Sequence, residues 1–248
     1  MSQANTMIAE PRNSDPFNYS LDTESGYLIA TVEGRRLLID TGSMVTLTET
    51  SFDFIGQSLP VRESFLGFSL DGVRRGVGVP IDALIGMNIL RRFDLQIDLS
   101  ASRIQLNRLQ TPLRSGALPI TFNNRRPQLL MDFTCKPRAR MLFDTGAPLS
   151  FLRSDLVVGL EPVGSEEDFY PTLGPFTTSV YRIPFTLGGM TYVADFGVLP
   201  TPVENALLAE GVDGIIGTQL IVNRPAVLAA RRQLLDIGTN KALGPRLG

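Results

Sequence analysis

Apolar residues in this chain come in short runs, broken every few positions by Gly, Pro, Asn, Asp or Ser. In the first half the turn signals fall at Glu24-Ser25-Gly26, Glu33-Gly34, Asp71-Gly72 and Ala101-Ser102, and no stretch there holds a helical spacing beyond about two turns. The pattern predicts an all-β chain. Two stretches stand out because each reads as strand, tight loop, strand: LLIDTGSMVTL (Leu37 to Leu47) and MLFDTGAPLSFL (Met141 to Leu152). A given tripeptide turns up about once in several thousand positions at residue usages of roughly 5 to 7%. One Asp-Thr-Gly is therefore most simply a turn, its carboxylate bonded to its own backbone.

The repetition extends well beyond the triplets. Downstream of the first lies DALIGMNILRRFDLQIDLSASRIQL (Asp82 to Leu106), and downstream of the second DGIIGTQLIVNRPAVLAARRQLLDI (Asp213 to Ile237). Both run from Asp through an apolar pair to Gly86 or Gly217, then into one or two expected helical turns. Phe93 and Arg224, seven residues past each Gly, each open an expected strand pair. Upstream, YLIATVEGRRLLIDTG (Tyr27 to Gly42) lies on LLMDFTCKPRARMLFDTG (Leu129 to Gly146) with a small insertion at the hairpin turn. Such duplication is a statement about the fold. The join is expected in Thr111-Pro112-Leu113-Arg114-Ser115-Gly116, giving an arm over 1–17, a first lobe over 18–112, a second over 113–240 and a tail over 241–248. The polar arm reads as loosely held, or alternatively as an outer strand.

Composition narrows the chemistry. With 248 residues the chain is long enough for a substantial core, and 23 Lys+Arg against 25 Asp+Glu leave a net charge of −2, which points to neither nucleic acid nor an anionic membrane as partner. Five arginine pairs, from Arg35-Arg36 to Arg231-Arg232, read as solvated turns. There is no histidine, so Ser-His-Asp, Cys-His and His-containing zinc sites are excluded. No metal or cofactor is expected, and carboxylates remain as the main acids and bases. The single Cys135 cannot form an internal disulfide and is expected buried and inert in a strand. No basic-then-apolar leader and no run of eighteen apolar residues is seen, so a cytoplasmic location is the expectation.

The order of hairpin, apolar-Asp-Thr-Gly, then apolar-apolar-Gly and a short helix resembles the aspartic proteases over nearly the whole chain, about Asn18 to Ile237. Ile85-Gly86-Met87-Asn88-Ile89-Leu90 looks more like the retroviral type than the pepsin type. The chain thus resembles two retroviral-type halves fused, as in the bilobed pepsin-type enzymes. The resemblance implies two small closed β lobes, each with one short helix after the apolar-apolar-Gly motif, and catalytic Asp40 and Asp144 brought together. Thr41 and Thr145 would bond across to the opposite elbow, and Gly42 and Gly146 would let backbone approach backbone. Ser43 and Ala147 occupy a position where the family has both types. Gly86 and Gly217 are expected beneath the loops. Two carboxylates about 3 Å apart share one proton, so one can act as base while the other acts as acid. A Ser43 hydroxyl donating to Asp40 would leave that proton on Asp144.

The function implied is an intracellular aspartic endopeptidase, monomeric with pseudo-twofold symmetry, acting on extended peptide. Its pH optimum is expected to be mildly acidic, with activity persisting towards neutrality. The alternatives are a peptide-binding or scaffold protein without turnover, and a self-processing protease. The halves differ where the family carries its flap, the hairpin that closes over peptide: 43 residues separate Gly42 from Gly86, and 70 separate Gly146 from Gly217. Glu63 to Val79 is expected to form one hairpin turning at Asp71-Gly72. Glu167 to Val198 is expected to turn at Leu173-Gly174-Pro175 and Gly188-Gly189, with a helix near Val203 to Glu210. Candidate flap aromatics, each expected to serve first in core packing, are Phe65, Phe68, Tyr170, Phe176 and Tyr181.

Overall fold

A computed structural model of the chain describes residues 15–23, 26–222 and 224–238. Most of the expected arm, residues 1–14, and the tail at 241–248 lie outside the described residues. The first half contributes β1 (Phe17–Asp22), β2 (Ile29–Val32), β3 (Arg35–Ile39) and β4 (Leu47–Thr48), followed by two small hairpins, β5 (Phe52–Phe54) with β6 (Gln57–Leu59) and β7 (Ser64–Phe65) with β8 (Phe68–Ser69). Helix α1 (Leu70–Val77), β9 (Ala83–Ile85), helix α2 (Met87–Leu90), β10 (Asp94–Asp98) and β11 (Arg103–Asn107) complete it. Phe17 is already in β1, paired with Leu106.

The second half runs through β12 (Leu118–Pro119), β13 (Thr121–Asn123), β14 (Arg126–Phe133), β15 (Lys136–Phe143), β16 (Ser150–Leu152), β17 (Gly164–Tyr170), β18 (Gly174–Leu187) and β19 (Met190–Val198). Helix α3 (Thr201–Ala209), β20 (Gly214–Ile216), β21 (Ala226–Ala229) and β22 (Leu234–Ile237) follow. One sheet is ordered β12-β22-β21-β10-β11-β1-β2-β3-β9-β4, so strands of both halves share it. The other, β13-β14-β15-β20-β16-β19-β18-β17, closes on itself through β14 with β18. The fold is all-β, two-lobed and aspartic-protease-like.

The repeat is visible strand by strand. β3 runs parallel to β9 with Ile39 opposite Ile85, and β15 runs parallel to β20 with Phe143 opposite Ile216. These strands are buried on both faces, which is why their sequences are unbroken apolar triplets rather than alternating ones. Leu37, Ile39 and Ile85 face a large core shared by both halves, while Leu38 and Leu84 face a smaller core beneath α1. In the second half Met141, Phe143 and Ile216 face the shared core, and Leu142 and Ile215 face a third cluster with Val203 and Leu207 of α3. The Asp opening each apolar-apolar-Gly motif has a matching job. Asp82 accepts from the Arg36 N–H at 2.7 Å and Asp213 from the Arg140 N–H at 2.9 Å, fixing the register of each parallel pair.

Three expectations are corrected. Asp71-Gly72 is not a hairpin turn but part of α1: Ser69 caps the helix by accepting from the Gly72 N–H at 3.0 Å, Leu70, Val73 and Val77 are buried, and Gly78 ends it at φ 73°. The hairpin lies upstream, turning at Leu66 and Gly67, both at positive φ. The expected short helix is present after both glycines, as α2 in the first half and as a single 3-10 turn, Thr218–Leu220, in the second. Cys135 is exposed in the turn between β14 and β15 rather than buried in a strand. Arg232 is not a solvated turn residue: its Nη2 donates at 2.5 Å to Asp94, which is fully buried, and at 2.7 Å to the Thr111 carbonyl.

Candidate active site

Each Asp-Thr-Gly elbow begins where a parallel strand pair ends. The Asp40 N–H donates to the Ile85 carbonyl at 3.1 Å and the Asp144 N–H to the Ile216 carbonyl at 3.0 Å, so both aspartates leave the sheet at equivalent points. The turn then needs room below it. A Cβ at Gly86 would lie 2.3 Å from the Val45 carbonyl oxygen, and one at Gly217 would lie 2.1 Å from that of Ala147. Real Cβ atoms do not approach so closely, hence glycine at both places. Thr46 and Ser150 complete the floor by accepting from the Gly86 and Gly217 N–H groups, each at 3.1 Å.

The elbows are locked to each other by the buried threonines. The Thr41 N–H donates to Thr145 Oγ1 and the Thr145 N–H to Thr41 Oγ1, both at 3.0 Å. Each hydroxyl in turn donates to the opposite strand at 2.7 Å, Thr41 to the Phe143 carbonyl and Thr145 to the Ile39 carbonyl. This closed ring of four bonds satisfies every polar group it buries and fixes one half against the other. Gly42 and Gly146 face the opposite carboxylates: a Cβ on Gly42 would lie 2.1 Å from Asp144 Oδ2, and one on Gly146 would lie 2.7 Å from Asp40 Cγ.

Asp40 and Asp144 therefore face each other, each carboxyl lying against the opposite elbow's glycine. Burial and the facing Asp144 charge push Asp40 well above the usual carboxylate range. Burial also raises Asp144, but the Gly146 N–H at 2.8 Å, the bond from Asp40 and the Arg126 charge hold it back. Each carboxyl is thus pushed towards holding a proton more tightly than a free aspartate does. The expected bond from the Ser43 hydroxyl to Asp40 is not made: the hydroxyl donates to the Val45 carbonyl at 2.8 Å, and only the Ser43 backbone N–H reaches Asp40, at 2.8 Å. Ala147 is buried and lines the cleft.

The carboxylates form the floor of a cleft of about 250 Å³. Leu38, Met44, Phe65, Phe68 and Val73 line its first-half wall, and Pro148, Phe151, Phe176 and Leu199 its second-half wall. Its roof is the β17–β18 hairpin, paired from Gly164 with Val180 out to Tyr170 with Gly174. This hairpin reaches across to the first half, where the Phe169 ring lies against Gly76 of α1, 1.9 Å from where a Cβ would be. Tyr170, at the hairpin's end, is raised above the ordinary phenol value by burial, a rise that Arg126 opposes and both aspartates reinforce, so its hydroxyl stays protonated beside the dyad. Of the candidate aromatics, Phe65, Phe68, Tyr170 and Phe176 line the cleft, whereas Tyr181 packs on the shared core. Sequence reasoning missed Phe169 and Arg126. The first stands next to a named candidate in an expected hairpin; the second was hidden in an arginine pair with nothing to separate it from a solvated turn. Among the described residues, no group of three or more His, Cys, Asp or Glu side chains is placed to hold a metal ion.

The two lobes, with matching elbows locked together beneath a roofed cleft, have an aspartic-protease-like fold. A solved structure similar to this chain is the aspartic proteinase from Irpex lacteus, with a TM-score of 0.50 and 12% identity over 94% of this chain and 100% of that one. No protein-family model and no curated protein matches the chain in sequence.

Proposed function

We propose that this chain is an aspartic endopeptidase, two retroviral-type halves fused in one polypeptide, hydrolysing extended peptide with a water held between Asp40 and Asp144. What supports the reading is two carboxyls from matching elbows, each raised by burial and facing the opposite elbow's glycine, on the floor of a roofed cleft. The ionised member of the pair takes a proton from the water while the protonated member donates a hydrogen bond to the scissile carbonyl oxygen. The water oxygen adds to the carbonyl carbon, the C–N bond breaks, and the departing nitrogen leaves with the proton that the ionised carboxylate received. No covalent enzyme intermediate forms. Apolar walls on both sides favour apolar side chains flanking the bond, and the β17–β18 hairpin offers backbone partners to an extended strand. The lone cysteine fits a reducing, cytoplasmic setting.

The test is to incubate the purified protein with a denatured protein mixture, from mildly acidic to neutral pH, and to sequence the new termini. New termini throughout the mixture, absent with Asp40→Asn or Asp144→Asn, are expected. Peptide capture with no new termini would leave a binding protein instead, and cleavage confined to the protein's own N-terminal segment a self-processing one.

A further inference from the structure

Three hairpins of the first half turn on two residues, the second a glycine: Glu33-Gly34 between β2 and β3, Ile55-Gly56 between β5 and β6, and Leu66-Gly67 between β7 and β8. The first residue stands at φ 50°, 52° and 50° respectively, and the glycine at φ 81°, 74° and 80°. Such turns require positive φ, which glycine, asparagine and aspartate adopt readily and a bulky side chain does not. Glu33 keeps its charge in water, and Ile55, 4% exposed, packs into the shared core. Leu66 does neither. It is 79% exposed, and it lines the mouth of the cleft that holds Asp40 and Asp144. The hairpin below it is firmly held: Phe65 pairs with Phe68, both pack on the core beneath α1, and the Leu70 N–H donates to the Glu63 carbonyl at 2.9 Å. Leu66 is thus an apolar residue in a backbone conformation that disfavours it, with strain that its own packing does not offset, and strain of this kind concentrates at ligand clamps.

We propose that Leu66 is a specificity-determining residue of the cleft, covering one large apolar side chain of the bound peptide. The inference rests on the peptidase reading for the path of the peptide through the cleft. Phe65 and Phe68 at the base of the hairpin line the same cleft, so the apolar surface that Leu66 extends is continuous with the first-half wall. A peptide side chain lying against Leu66 takes it out of water and supplies in the complex the burial that the free protein does not give it. Replacing Leu66 by asparagine, which suits the turn, therefore moves stability and recognition in opposite directions. A leucine that served only the fold would move both down together.

The experiment takes the full chain with Leu66 intact, as Leu66→Asn and as Leu66→Met, and measures melting together with selection from a random-sequence peptide library. Cleavage products are sequenced for each protein. The same three are also made in an Asp144→Asn background, immobilised, and the peptides they retain are sequenced, so that selection is read without turnover. With Leu66 intact, cleaved and retained peptides should be enriched in leucine, methionine and phenylalanine over serine and asparagine. Leu66→Asn should melt no lower than the wild type and lose about tenfold of that enrichment, the low end of what a small change in an apolar pocket makes. Leu66→Met should keep it. Enrichment that persists in Leu66→Asn, or a Leu66→Asn protein that melts below the wild type, would overturn the proposal and leave the peptidase reading standing wherever the library is cut. Retention that depends on Leu66 in a protein that cuts nothing would sink the peptidase reading alone. A library neither cut nor retained would sink both.

Discussion

Asp40 and Asp144 are held in a position that stabilises the site's chemistry at the expense of the fold. Both carboxyls bind their proton more tightly in the folded protein than in an unfolded chain, where an aspartate titrates near 3.9. For a raised carboxylate the unfolded state releases the proton first, so stability is full below about pH 4 and falls as pH climbs through the folded value. Asp40→Asn removes the group with the greater rise, so the variant should melt above the wild type at neutral pH, and the gap should close as pH is lowered towards 4. A calorimetric series showing Asp40→Asn less stable than the wild type at neutral pH would refute this. The same substitution, or Asp144→Asn, should lower kcat more than about a hundredfold, since acid–base assistance is typically ~10²- to 10⁴-fold. Ser43→Ala should leave the acidic limb of activity unmoved, because the hydroxyl serves the Val45 carbonyl and not the carboxylate. At this scale the elbows were legible because Asp-Thr-Gly repeats with its apolar flanks. Where the Ser43 hydroxyl turns was not, since its bond to the Val45 carbonyl leaves no pattern in the chain.

Among the elements, the roof decides access to the dyad. The β17–β18 hairpin arises in the longer second half and comes to rest on α1 of the first, along the face carrying Gly72 and Gly76. The extra length was legible in the unequal spacings, and so were the turns at Leu173-Gly174-Pro175 and Gly188-Gly189 and the helix α3. Helix α1 was not: Gly72 and Gly76 weaken helix propensity by about 1 kcal/mol each relative to Ala, so Asp71-Gly72 read as a turn. Those glycines make sense only once Phe169 is seen lying on the helix. Gly76→Ala should therefore favour α1 locally while forcing the Phe169 ring aside and lifting the roof. Amide exchange along Gly164–Tyr170 should quicken, and kcat/KM for peptide should fall about tenfold, equivalent to ~1.4 kcal/mol. Adding Phe169→Ala removes the collision, so the double variant should exchange no faster than Phe169→Ala alone. Unchanged exchange in Gly76→Ala would mean that the hairpin is not held by this contact.

In the molecule as a whole, the halves are joined by more than the threonine lock. β21 of the second half pairs with β10 of the first along Asp94 to Ile97, and the shared core draws on both. Across the same junction Asp94 accepts from Arg232 at 2.5 Å and from the Thr111 N–H at 2.8 Å, while Asp236 accepts from the Arg114 N–H at 2.8 Å, so two buried carboxylates pin the connecting segment from opposite sides. Breaking a buried pair by removing one partner costs about 3–5 kcal/mol. The lower end applies because Arg232 keeps 23% exposure. Asp94→Ala should then lower Tm by about 6–12 °C at ~2–4 °C per kcal/mol, and a drop under about 2 °C would show that the junction does not depend on it. The pseudo-twofold duplication was plain in the sequence, whereas this junction was not, because a buried aspartate and a distant arginine carry no local pattern. Both elbows lie in one chain and one sheet runs through both halves, so the peptidase reading predicts a site complete in a single copy. Specific activity per chain should stay constant on dilution well below the concentration of any dimer, measured alongside the sedimentation of the same samples. A rate per chain that collapses as a dimer disappears would show instead that part of the site comes from another copy.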